Sequence, residues 1–405
     1  MLSGKNVWIV NHYALPPYMP GGTRHFDFSK KLTEEGYNIT IFASSFHYQK
    51  LKDIKEYKSN EYFLTEQVDG VRFVWFKTLQ YFGNNYRRVL NMLSFSNRFL
   101  KYVRDDEYGE KPDIIIGSSV HLLAVLAAYK AAKILHSDFF MEVRDIWPQT
   151  LIDSGVSRYH PLVLWFRRIE VQMYKKAKKI IILLPKAKDH IMQSNVPEHK
   201  IVYLPNGVDI TPFSFPKLNS KNKIFTIVYA GVIGVANNLQ MAVETAKICK
   251  ERNEEVFFNI IGEGQEKDRL IQLVNKFNLT NISFFGAVPK TEIADALAKA
   301  DALFFNLADS PVYKYGLSSN KLFDYLAAGK PILFSCKAGN NPVEEAHAGI
   351  SIEPDSPELL FNAIMEMKRL SDDERLQMGI NGYKYVKKNH SMEILSKRFI
   401  EILNN

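Results

Sequence analysis

The sequence has only two cysteines in 405 residues, Cys249 and Cys336. They lie far apart and show no metal-ligand spacing, which argues against a disulfide framework and a zinc site and fits a reducing compartment. No window reaches roughly 18 uninterrupted apolar residues, so no segment is read as spanning a bilayer. The opening MLSGKNVWIVNHYALPPY has no basic leader followed by a sustained apolar stretch. It is read as a buried first strand, NVWIVNH, rather than as a signal peptide. No zinc-finger, RNP or other nucleic-acid motif appears, which lowers nucleic acid as a partner. Short-period repeats and low-complexity tracts are also missing.

What is present is an ordinary globular composition, 46% hydrophobic and 24% charged. The length suits two domains, each large enough to bury a core. A net charge of +8 and a pI near 9.1 point to an anionic partner: a phosphorylated metabolite, a lipid head group or nucleic acid.

Apolar runs bounded by turn residues alternate with helical patterns. In the first half, strands are expected at 6–12, 38–44, 70–76, 113–119, 138–145 and 179–185. The intervening GGTRHFDFSKKLTEEG reads as a helix capped by Gly36. In the second half, strands are expected at 225–231, 256–262, 282–288, 301–307, 331–336 and 349–354, with helices between them such as 238–253. Short strands alternating with helices indicate βαβ units and parallel sheets covered on both faces. Two tandem α/β units follow, joined through NGVDITPFSFPKLNSKNK (206–223). The C-terminal stretch from 381 is helical by period.

The segment NNYRRVLNMLSFSNRFLKYVR (84–104) is amphipathic. Helical spacing puts Tyr86, Val89, Leu93, Leu100 and Val103 on one face, and Arg87, Arg98 and Lys101 on the other. Such a helix either packs on the sheet or rests on an anionic membrane surface.

Residues 318–331, SSNKLFDYLAAGKP, raise a chemical question. In an open α/β domain, ligands bind at the carboxyl ends of strands, where helix N-termini aim unpaired amides outward. Ser318 and Ser319 are N-cap residue types, and the amides of Asn320 to Leu322 would then face a ligand. A phosphate suits such an end. Lys321 would add a positive charge, and Asp324 could accept hydrogen bonds from ribose hydroxyls. The competing explanation is an ordinary capped helix whose Asp complements the dipole.

NKLFDYLAAGKPIL also resembles the signature helix of the family 4 (group 1) glycosyltransferases, in particular the branch that builds bacterial surface polysaccharides. The resemblance runs in order along nearly the whole chain, through PPYMPGGTRHFDFSKKLTEEGYNITIFAS, EVRDIWPQTL, VYLPNGVD, YAGVIG, NIIGEGQEKDRL and FFGAVPKTEI. It implies the GT-B fold: two Rossmann-like domains with parallel sheets facing across a cleft. The expected division is 1–205 for the acceptor, 206–388 for the nucleotide sugar, and 389–405 as a helix crossing back. The family retains anomeric configuration and needs no bound metal or other cofactor, in keeping with the lack of an Asp-x-Asp pair here.

Carried over by position, Asp324 matches the second acid of the family's Glu-x7-Glu motif, which binds the ribose. The first acid would fall at Gly316 and is missing. In GVIGVANNLQ (231–240), Val232 and Asn238 stand where many relatives have an Arg and a Lys for the diphosphate. The phosphate role therefore moves to Lys321, the 319–322 amides and the Gly21-Gly22 loop, with Arg24 as a further candidate. Glycine pairs let backbone approach a ligand closely.

His121 matches the position of a family His near the reacting sugar; the equal alternative is a helix-start His with a structural hydrogen bond. Arg144 and Asp145 could line the site, or brace Trp147 as a pair. Gly231, Gly262 and Gly264 lie in loops that the resemblance places by the nucleotide, and Val288 in the loop that contacts the base.

The reading is a cytoplasmic, metal-independent, retaining glycosyltransferase. It would transfer a hexosyl or N-acetylhexosaminyl group from a UDP-sugar to a lipid-diphosphate-linked saccharide, peripherally on the inner face of a membrane. Two alternatives stay open: a nucleotide-sugar epimerase or hydrolase of the same fold, and a non-catalytic subunit.

Overall fold

The computed structural model describes residues 4–19, 21–47, 50–83, 86–153, 155–217 and 224–405. The chain divides into two compact units, Met1–Pro205 with Leu395–Asn405, and Asn206–Ile394. Residues 218–223 of the expected connector lie outside the described residues.

The first unit is built on an eight-stranded sheet. Its order is Ile201–Tyr203, Lys179–Ile182, Asp138–Val143, Ile114–Ser118, Asn6–Val10, Asn38–Ser44, Val71–Phe76 and Phe63–Val68. Every pairing is parallel except the last, where Phe63–Val68 runs antiparallel along the edge. Central runs such as IIIGS are buried throughout, as expected for strands covered on both faces. The Ala-rich helix Leu122–Leu135 lies against them, and its small side chains allow close approach. A Cβ on Gly117 would sit 2.9 Å from that of Ala128. The final helix, Met392–Asn404, also joins this unit. Phe399 packs edge-on against Phe28 at 5.3 Å, and Tyr37 donates to Asn404.

The second unit has a six-stranded, fully parallel sheet. Its order is Ile282–Phe285, Val256–Ile261, Phe225–Ala230, Ala302–Asn306, Ile332–Ser335 and Gly349–Ile352. Numbered within the unit this is 3-2-1-4-5-6, the dinucleotide-binding order, whose direction of progression reverses between strands one and four. Ligands of such sheets bind outside the carboxyl ends of the strands at that reversal. In the first unit the corresponding reversal falls between Asn6–Val10 and Ile114–Ser118.

All twelve expected strands form. The helix Tyr86–Arg104 forms too, but its buried face differs from the expected one. Met92, Phe95, Phe99, Leu100, Tyr102 and Val103 point inward. Tyr86, Leu90 and Leu93 are 69, 42 and 37% exposed. The apolar pattern continues around the first two turns, and the bulkier aromatic set, Phe95, Phe99 and Tyr102, takes the core. Among the described residues no helix is long and apolar enough to cross a membrane.

Candidate active site

In the second unit the helix Asn320–Ala327 is set rigidly on the sheet. Leu322, Phe323 and Leu326 are buried, each contributing roughly 1.5–3 kcal/mol. Tyr325 Oη accepts from Ala230 N at 2.7 Å and donates to Ala230 O at 3.1 Å, which ties the helix to the end of the unit's first strand. The helix stops where Gly329 adopts φ +63°, ahead of Pro331.

Two asparagines fix the chain just before this helix. Asn340 accepts from Leu317 N at 2.7 Å and donates to Leu317 O at 3.3 Å. Asn206 donates its backbone amide to Ser318 Oγ at 2.8 Å and its side-chain amide to Ser318 O. Ser318 therefore anchors the chain that leads into this helix. Ser319 occupies the N-cap position, but its side chain makes no capping hydrogen bond. The amide of Leu322 bonds to Ser319 O at 3.1 Å, which removes it from the expected donor set. The amides of Asn320 and Lys321 have no backbone partner among the described residues.

Lys321 lies across the reversal point of the sheet. Its ammonium is 4.4 Å from the Tyr229 ring centre on strand one and 4.7 Å from that of Phe305 on strand four. It donates to Asn237 Oδ1 at 3.0 Å and Tyr229 Oη at 3.2 Å. Burial against these rings lowers its pKa to about 7. Asp324, one turn further along, is half-buried. Gly316, where the family's first acid would stand, has φ +106°, a backbone shape that favours glycine.

The loop glycines have a packing use. A Cβ on Gly262 would lie 1.9 Å from Gly231 O, and one on Gly264 would lie 2.2 Å from Ile233 O. These glycines allow two strand-to-helix loops to touch each other, with Gly231 N donating to Ile261 O and Ile233 N to Glu263 O, both at 2.9 Å. The contact is backbone on backbone. Val288 is half-buried in the loop after Ile282–Phe285.

The first unit's reversal point holds a buried polar network. Glu142 Oε1 accepts from Arg24 Nε at 2.8 Å, and Oε2 accepts from His25 Nε2 and Ser118 Oγ, each at 2.7 Å. Asn11 Nδ2 donates to His25 Nδ1 at 3.0 Å. Burial alone would raise the Glu142 carboxyl, but His25 and Arg24 hold it well below the usual range. The remaining Arg24 donors go to Leu204 O and Pro205 O at 2.8 and 2.6 Å. Arg24 is thus engaged by partners of its own unit.

His121 stands at the start of the helix Leu122–Leu135. It is fully buried, and both ring nitrogens are engaged. Nδ1 accepts from Ala124 N at 3.1 Å, so Nε2 carries the proton and donates to His12 Nδ1 at 2.8 Å. Burial, with Arg88 nearby, lowers its pKa to about 3. These bonds fit the helix-start reading of His121. Arg144 donates its backbone amide to Ser119 Oγ at 3.0 Å, and no Arg144–Asp145 ion pair forms among the described residues. Asp145 is exposed at the strand end, and Trp147 packs on Phe166 at 6.0 Å. Gly21 is exposed with φ +143°, and Gly22 is half-buried.

Several residues that shape these sites were missed at the sequence level: Glu142, His25 and Asn11 in one unit, and Tyr229, Asn237, Asn306 and Asn340 in the other. Only Glu142 gave a signal, as an acid inside the apolar strand DFFMEV.

Comparison with known proteins agrees with the geometry. Residues 21–211 match the glycosyltransferase family 4 profile, and residues 211–385 match that of glycosyl transferases group 1. The chain belongs to this glycosyltransferase family. An uncharacterized glycosyltransferase of Methanocaldococcus jannaschii, MJ1069, is 22% identical over 404 residues, covering 95% of each protein. The putative colanic acid biosynthesis glycosyl transferase WcaI of Escherichia coli is 22% identical over 363 residues, covering 83% of this chain and 85% of WcaI. Among solved structures, Anabaena HepE in complex with UDP and glucose aligns with a TM-score of 0.68 at 14% identity, covering 99% of both chains. The fold is GT-B.

Proposed function

We propose that this glycosyltransferase takes its sugar from a nucleoside diphosphate sugar, a UDP-sugar first among them, held at the start of Asn320–Ala327. The observation that carries this reading is Lys321. It is a basic side chain at the reversal point of the second unit's sheet, beside two amides with no backbone partner and with no acidic partner among the described residues. Anionic oxygens of a diphosphate complement that set. HepE, which shares the fold, was solved with UDP and glucose. Asp324 is assigned to the ribose.

The reaction in this reading retains configuration without a metal. The bond from the anomeric carbon to the diphosphate breaks, the acceptor oxygen bonds on the same face, and the departing phosphate oxygen takes the acceptor proton. Asn320, Lys321 and the amides stabilise the charge left on that oxygen. A glycosyl adduct on Asp145 or another residue, trapped and seen by mass spectrometry, would replace this with double displacement.

The proposed acceptor is a lipid-diphosphate-linked saccharide for a surface polysaccharide, a role in keeping with the colanic acid assignment of WcaI. The exposed Tyr86, Leu90 and Leu93 beside Arg87 suit contact with an anionic membrane. The test is turnover with a panel of UDP- and GDP-sugars. Lys321→Ala is expected to cost about 100- to 1,000-fold in transfer with little change in melting temperature. Near-normal transfer by this variant removes the assigned role. Free sugar or epimerised donor without acceptor favours the hydrolase or epimerase reading, and no turnover with any donor favours a non-catalytic subunit.

A further inference from the structure

The loop 231–238, GVIGVANN, contains no basic residue. Lys321 nevertheless reaches it from the helix. Its alkyl stem runs over Gly231, where a Cβ would lie 2.9 Å from Lys321 Cδ, and its amine meets Asn237 Oδ1 at 3.0 Å. The loop is firmly held. Asn306, fully buried at the end of strand four, donates through Nδ2 to Asn237 O at 2.9 Å and Asn238 O at 3.0 Å. Ala308 N donates to Ala236 O at 3.0 Å, and Asp355 accepts from Asn238 Nδ2 at 2.6 Å. Asn237 Oδ1 is therefore a fixed neutral acceptor.

The other groups around the amine are uncharged at neutral pH. Tyr229 donates its hydroxyl proton to Val232 O at 2.6 Å, and burial raises its pKa. Burial pushes the Cys336 thiol up to about 12. Asp309 bears on Cys336, and Asp355 is committed to Asn238 and to Asp309 N. No carboxylate pairs with Lys321 among the described residues, so a bound diphosphate would be its first full counter-charge.

We propose, on the functional reading above, that Lys321 delivers the diphosphate's counter-charge to the loop 231–238, that Asn237 is its positioning residue, and that binding takes up a proton at this amine. The direction follows from linkage. A base that sheds its proton near neutrality in the free protein must regain it to meet the anion, so affinity falls as pH rises above about 7.

Titration calorimetry with UDP-glucose tests this, because its diphosphate diester does not itself titrate near neutrality. Runs in Hepes and Tris at pH 7.5 should show uptake of most of one proton, with affinity falling up to about tenfold per pH unit between pH 7.5 and 9. Asn237→Asp places a carboxylate against the amine and keeps it charged beforehand. Uptake should fall to near zero and affinity by about tenfold, with a melting temperature at or above that of the wild type, because the amine no longer loses its charge on folding. Lys321→Arg should abolish uptake whatever its affinity. Binding by the wild type without proton uptake, or uptake that persists in both variants, overturns the proposal. A wild type that binds neither UDP-glucose nor GDP-mannose overturns the functional reading itself.

Discussion

The two sheet reversals in this chain carry opposite solutions to one electrostatic problem. In the first unit, Arg24 and Glu142 are both buried and neutralise each other, and His25, Asn11 and Ser118 satisfy the remaining bonds. In the second, Lys321 is only partly covered and meets neutral acceptors. A closed charge network is satisfied within its own unit, and breaking it leaves a buried charge uncompensated. An unbalanced charge costs folding energy and keeps its attraction for an anion. The comparison separates a satisfied charge cluster from an unbalanced charge, two arrangements that motif matching alone would rank alike.

Breaking the closed network should give the largest effect. Glu142→Gln leaves the Arg24 guanidinium buried without its counter-charge, and should destabilise the protein by about 3–5 kcal/mol in denaturant unfolding. A loss under about 1 kcal/mol would mean that the pair is hydrated and the contrast is false. Next comes the scaffold of the open site. Gly262→Ala drives a methyl into Gly231 O and should cost about 2–4 kcal/mol while weakening UDP binding. A smaller effect is expected at the surface. Replacing Tyr86, Leu90 and Leu93 together by Ser should reduce binding to phosphatidylglycerol vesicles severalfold, with folding unchanged. Unaltered vesicle binding would remove this patch from the membrane proposal.

Much of the fold was legible because buried parallel strands read as apolar runs between turn residues. The edge strand Phe63–Val68 was not, because FLTEQV is half-exposed and antiparallel and has no such run. The orientation of Tyr86–Arg104 was misjudged because apolar residues occupy both sides of its first turns, and only packing decides which side turns inward. Lys321 was legible as a cation at a helix start. What could not be read was which polar residues find one another. Arg24 and Glu142 are 118 positions apart, and Lys321 and Asn237 are 84 apart. Arg24 looked available because nothing local announces a distant partner. The glycines at 262 and 264 were recognised as special positions, but their partner is protein backbone.

Hydrogen–deuterium exchange with and without saturating UDP tests the central claim most directly. The account predicts slowed exchange at the amides of Asn320 and Lys321, with the polar cluster around Ser118 and His121 unaffected. Protection confined to that cluster, or bound UDP with no change at 320–321, would contradict it.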